Sequence, residues 1–110
     1  MPTANVYYTK LDQKNAVERV TSDLKTFIAK ELTCGDISLG SHEVSVRPIK
    51  VDGDGMIGDV EVEVKAHAFQ DRVENQDGFC LDLERFLEKR TEISNIKVWL
   101  ILSELGNSMW

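Results

Sequence analysis

The chain has 110 residues, of which 42% are hydrophobic and 29% charged, and it carries a formal net charge of −6. That length and balance suit one folded domain around one hydrophobic core and argue against disorder. The acidic balance gives no clustered cationic footprint for nucleic acid, and apolar runs such as Val98 to Leu102 fall far short of the about 20 residues needed to cross a bilayer.

No basic, apolar, small-residue leader opens the sequence, so the expectation is a cytoplasmic protein with no membrane partner. Cys34 and Cys80 stand far apart and in no metal-like spacing, and both are expected to be reduced. Cys80, beside Phe79 and Leu83 on a helical apolar stripe, reads as a buried and inert thiol.

Asn5 to Thr9, rich in β-branched and aromatic residues, predicts a first strand. From Asp12 to Thr33 the apolar positions Val17, Val20, Leu24, Phe27, Ile28 and Leu32 recur at helical spacing, predicting one long amphipathic helix that Gly35 would stop. Glu43 to Val51 predicts a second strand, whose Pro48 lacks a ladder donor and so demands an edge or a bend. The glycines of Asp52 to Asp59 mark a turn that divides the chain almost in half.

Val60, Val62, Val64, Ala66 and Ala68 alternate with Glu61, Glu63, Lys65, His67 and Phe69, which predicts a third strand with one apolar face. Asp71 and Glu74 resemble a helix start, and Phe79, Cys80, Leu83, Phe86 and Leu87 form the second helical stripe. Ile96 to Ser103, apolar on both faces in its middle, predicts a last strand at the centre of the sheet.

The order is therefore strand, helix, strand, loop, strand, helix, strand. This is α+β, read as two successive βαβ units in one domain over 1-110, with halves at about 1-51 and 60-110. A ferredoxin-like split arrangement shares the same order of elements, and periodicity does not separate the two. Helices on one side of the sheet would leave Phe69, Trp99 and Ile101 on the other, which favours a homo-oligomer over a monomer.

Few motifs carry chemistry. Asp52-Gly-Asp54-Gly lacks a calcium loop's later ligand and glycine, since Met56 and Ile57 fill those places. His42 and His67 lie in different segments with no zinc spacing, so no metal is expected. Neither a nucleophile elbow nor a glycine-rich phosphate cradle is present, and no cofactor is expected. Pro2 is different: Met followed by a small residue is normally trimmed, which would leave a proline secondary amine able to act as a base if its proton affinity is lowered.

Met-Pro ahead of a strand, a long amphipathic helix and a second βαβ half resembles the tautomerase superfamily in pattern over nearly the whole chain. The segment Val46-Arg47-Pro48-Ile49-Lys50-Val51-Asp52, with Val60 to Phe69 and Asp71-Arg72-Val73-Glu74 after it, is similar to the 5-carboxymethyl-2-hydroxymuconate isomerase branch. The resemblance implies a trimer whose sheets form a central barrel with helices outside. It also implies a cofactor-independent isomerase that moves a proton on a small unsaturated oxo or hydroxy carboxylic acid. Pro2 would be the catalytic acid and base, and Arg47 and Arg72 would bind the substrate carboxylates through bidentate guanidinium contacts. The alternative, from a different class, is a non-catalytic ferredoxin-like domain for ligand binding or assembly.

Overall fold

The computed structural model describes residues 2–33, 38–53 and 55–103. Four strands form one sheet: β1 (Thr3–Tyr8), β2 (Ser45–Lys50), β3 (Val60–His67) and β4 (Ile96–Ser103), in the spatial order β2-β1-β3-β4. The β1 strand is parallel to β2 and antiparallel to β3, and β3 is parallel to β4. Each half is thus a parallel βαβ unit, and the two halves meet through the β1/β3 pair. Direct β1/β2 pairing overturns the ferredoxin-like alternative, in which β1 would lie between the third and fourth strands.

The helices arrive as four pieces, α1 (Leu11–Arg19), α2 (Thr21–Leu32), α3 (Gln70–Glu74) and α4 (Gln76–Thr91), where the sequence predicts two continuous ones. At the first break Val20 takes φ −108° and ψ 8°, while the Thr21 hydroxyl donates to the Val17 carbonyl at 3.1 Å. Two adjacent β-branched residues, one bonded back to the preceding turn, weaken the ladder there and bend the helix. At the second break Asn75 turns its amide onto the Asp71 carbonyl at 2.8 Å, with the same effect. Gln13 fixes the start of α1, accepting the backbone N–H groups of Thr9 and Lys10, each at 3.0 Å. The Gly35 stop lies outside the described residues; Thr33, the last described residue of that segment, is already extended.

The helices α1, α2 and α4 pack on one side of the sheet. Leu24, Ile28 and Leu32 of α2 and Phe79, Leu83 and Leu87 of α4 pack on Ala4, Val6, Val60, Val62, Val64, Ala66 and Ile96 of the strands. Full burial of a Leu or Ile side chain is worth about 1.5–3 kcal/mol, so this layer dominates folding. Strand alternation sends Thr3, Asn5, Tyr7, Arg47, Glu61, Glu63, Lys65, Trp99 and Ile101 to the other side, which no helix covers.

Two expectations are corrected by this arrangement. The β4 strand is an edge, not a centre, and it reads as two-sided because Val98, Leu100 and Leu102 face α4 while Trp99 and Ile101 stand 44% exposed on the open side. Phe69 lies past the end of β3 and is no part of the open face. There its ring meets His67 edge-on and lies under the Arg72 guanidinium. Pro48, as expected, sits on an edge strand.

Candidate functional site

The sheet has a polar end and two unlike faces, and the three residues singled out from sequence divide between them. Pro2 immediately precedes β1, its side chain fully buried and its carbonyl accepting the Ser45 N–H at 3.1 Å. It has the strand parity of Ala4 and Val6, so it belongs to the helix side. The β1/β3 register runs Thr3 to Lys65, and one further step sets Pro2 beside Ala66.

Arg72 is at the same end and almost wholly buried, 6% exposed. Its Nε donates to the Leu32 carbonyl and one terminal nitrogen to the His67 carbonyl, both at 2.9 Å, and its guanidinium lies 4.8 Å from the Phe69 ring centroid. The C-terminus of α2 and the end of β3 are thereby tied together by a cation placed where helix carbonyls lack partners. A small cleft, of about 50 Å³, opens beside it and is lined by Glu31, Thr33, Asp71 and Asn75 among others. The family resemblance offers Arg72 as a substrate anchor; no pattern in the chain announces the clamp, because its partners are backbone carbonyls from residues 40 and 5 positions away.

Arg47 is elsewhere. It is exposed on the edge strand β2 and, since Val46 packs against the core, it points to the open face. The structure therefore brings Pro2 and Arg72 to one end of the sheet on the helix side and sets Arg47 across the sheet from both.

The open face carries a cluster that sequence reading did not single out as a site. Glu63 Oε1 accepts from Asn5 Nδ2 at 3.3 Å and from the Tyr7 hydroxyl at 3.5 Å, with Lys65 Nζ also at 3.5 Å. Asn5 Oδ1 is buried without a hydrogen-bond partner among the described residues. Beside this cluster an open groove of about 360 Å³ is lined by Tyr7, Glu61, Glu63, Trp99, Leu100 and Ile101. The alternation of Glu61, Glu63 and Lys65 was legible in the sequence, but the neighbours from β1 and β4 needed the strand order.

Cys80, half-buried on α4, has its thiol pushed up by burial first, with Asp77 and Glu84 adding to the effect and a hydrogen bond with the Leu100 backbone opposing it. The other cysteine of the sequence, Cys34, lies outside the described residues. Among the described residues no group of three or more His, Cys, Asp or Glu side chains is arranged to hold a metal ion, and no helix is long and apolar enough to cross a membrane.

No family model matches the chain, and no curated protein matches it. Solved structures do. A macrophage migration inhibitory factor-like protein from Entamoeba histolytica superposes with a TM-score of 0.67 at 10% identity, over 97% of this chain and 95% of that one. A fused 4-OT symmetric trimer gives 0.62 at 15% identity, over 96% and 91%. N1, a member of the cis-3-chloroacrylic acid dehalogenase family, gives 0.57 at 11% identity, over 98% and 81%. At such identities the likeness is one of fold, and the fold is tautomerase-like.

Proposed function

We propose that this chain is a cofactor-independent tautomerase that moves a proton on a small unsaturated oxo or hydroxy carboxylic acid, using the secondary amine of a trimmed, N-terminal Pro2. The observation that carries the reading is the burial of Pro2 at the head of β1, at the end of the sheet that Arg72 braces. Burial disfavours the protonated amine, a cation at the same end of the sheet acts in the same direction, and both lower its proton affinity toward neutrality. In that state the amine takes a proton from the hydroxyl of a dienol acid, or from a carbon of the corresponding oxo acid, leaving a dienolate, and returns it to a different atom of the same substrate; no oxidant or second substrate is needed.

Arg72, through its charge, is the group offered to an anionic substrate at this end, while Arg47 lies on the far side of the sheet from the Pro2 of its own chain. Dienol acids of the 5-carboxymethyl-2-hydroxymuconate kind are the substrate class to which the sequence resemblance leads. We also read the protein as a cytoplasmic homotrimer. Supporting the assembly are the unpaired β2 and β4 edges, the exposure of Trp99 and Ile101, and a fold neighbour that is itself described as a symmetric trimer.

One observation favours a second reading, a non-catalytic assembly domain of the same fold. Arg72 already donates to two backbone carbonyls, and Arg47 is on the other face, so a pair of converging carboxylate anchors is not formed within one chain.

Intact-mass analysis of the mature chain, followed by turnover of a hydroxymuconate by wild type and Pro2→Ala, separates the readings. Proton-transfer assistance is worth about 10² to 10⁴ in rate, so the variant is expected to lose turnover on that scale. Full turnover with Met1 retained, or with Pro2 replaced, sinks the catalytic role of the amine.

A further inference from the structure

Four cross-strand rows make up the open face, and one of them runs Arg47, Asn5, Glu63, Trp99 from the β2 edge to the β4 edge. Its two ends are complementary. At one end Arg47 is an exposed guanidinium for which no hydrogen bond or ion pair is recorded among the described residues. At the other lies the groove of about 360 Å³ with Trp99 and Ile101 on one side and Glu61 and Glu63 on the other.

The groove's acceptors are only half used. All three recorded contacts of Glu63 fall on Oε1, and Glu61 receives the Ile57 N–H on Oε2 at 3.1 Å. Glu63 Oε2 and Glu61 Oε1 therefore remain as carboxylate oxygens with no recorded partner among the described residues. A planar fork of N–H donors suits two such oxygens, and its face suits the exposed Trp99 ring. Arg47 of the same chain is held at the opposite edge, three strands away.

We propose that the groove is occupied by Arg47 of a second copy of this chain, packed against Trp99 and bonded to Glu61 and Glu63. The contact is head to tail, β2 edge of one copy to β4 edge of the next, so it is heterologous, and with the three-fold rotation of the trimer read above it repeats into a closed ring. It also pairs the two strand edges that the isolated chain leaves open, a known hazard for a free strand. This deepens the assembly part of the reading above and assigns Arg47 to subunit recognition.

Sedimentation across a dilution series tests it, with far-UV circular dichroism confirming that each variant is folded. Wild type is expected to sediment as an oligomer at micromolar concentration. Arg47→Gln should weaken association by about tenfold or more, and Arg47→Glu further, because truncating one partner of a buried charge pair leaves the others unpaired. Glu61→Arg alone should also dissociate the protein, whereas Arg47→Glu combined with Glu61→Arg should restore much of the assembly. The proposal is overturned if wild type is monomeric throughout, if Arg47→Glu keeps the wild-type mass at every dilution, or if the double variant assembles no better than Arg47→Glu alone. An oligomer that obeys this pattern yet turns over no enol acid would defeat the proposed chemistry and leave the contact standing; the converse result would do the opposite.

Discussion

The two faces of the sheet are built from the same strands and obey opposite rules. On the helix side Ala4, Val6, Val60, Val62 and Val64 are at most 1% exposed, and every large residue meets another. On the open side Trp99 and Ile101 are each 44% exposed beside carboxylates, an arginine and an unsatisfied amide oxygen. A period of two residues assigns each side chain to one face or the other, and only the helix side is completed within a single chain. One face makes the fold, while the other is left open by the chain's own helices.

The largest effects are expected on the helix side. Leu83 is fully buried between α4 and the sheet, and truncating such a residue removes transfer energy and leaves a cavity. Leu83→Ala should lower unfolding free energy by about 2–5 kcal/mol. Trp99→Ser, made on dissociated protein, should stay within about 0.5 kcal/mol, as surface substitutions usually do. Denaturant titration of both variants breaks the comparison if Trp99→Ser costs as much as Leu83→Ala, since the open face would then be holding up the monomer.

An intermediate effect is expected at the end of the helix side, at Arg72. Removing its side chain takes one hydrogen bond from each of the carbonyls of Leu32 and His67, and a hydrogen bond to a charged group is worth about 1.5–3 kcal/mol. Arg72→Met should show a loss of that size. Arg72→Lys, with a charge but no fork, should recover only part of it. A loss within assay error for Arg72→Met would mean that water satisfies both carbonyls and that the clamp is not what fixes the Pro2 end.

Much of this was readable from sequence, in a way that follows the physics of each signal. The apolar stripes of α2 and α4 and the alternation of β3 were visible because each residue's neighbours lie within one turn or one pleat. Pro48 marked an edge for a covalent reason. The breaks at Val20 and Asn75 were missed because a single back-bonded Thr or Asn does not disturb an apolar period. The position of β4 was misjudged because a strand apolar on both faces reads alike whether it is central or waits at an edge. The clamp that Arg72 forms and the Glu63 cluster were beyond sequence reading, since their partners come from segments brought together only by the fold.

The smallest expected effect belongs to Cys80, and it tests whether the two faces are independent. Its thiol sits on α4 against the Leu100 backbone, on the helix side of β4, and burial is the main cause that raises its pKa. A group whose folded pKa lies above its unfolded one contributes stability that is intact below the unfolded value and is lost as pH rises through the folded value. The difference in unfolding free energy between wild type and Cys80→Ala should therefore be flat through neutrality and move against wild type only in alkaline solution. Alkylation, which needs the thiolate, should accordingly be slower at Cys80 than at a small free thiol near pH 8. Peptide mapping distinguishes it from Cys34. Because the packing of α4 on β4 sets this rate, it should be the same in wild type and in Arg47→Glu, even though one is expected to be assembled and the other dispersed. A several-fold rise in Arg47→Glu would show that losing the neighbouring copy loosens the helix layer, and the division between a self-sufficient face and a dependent one would have to be given up.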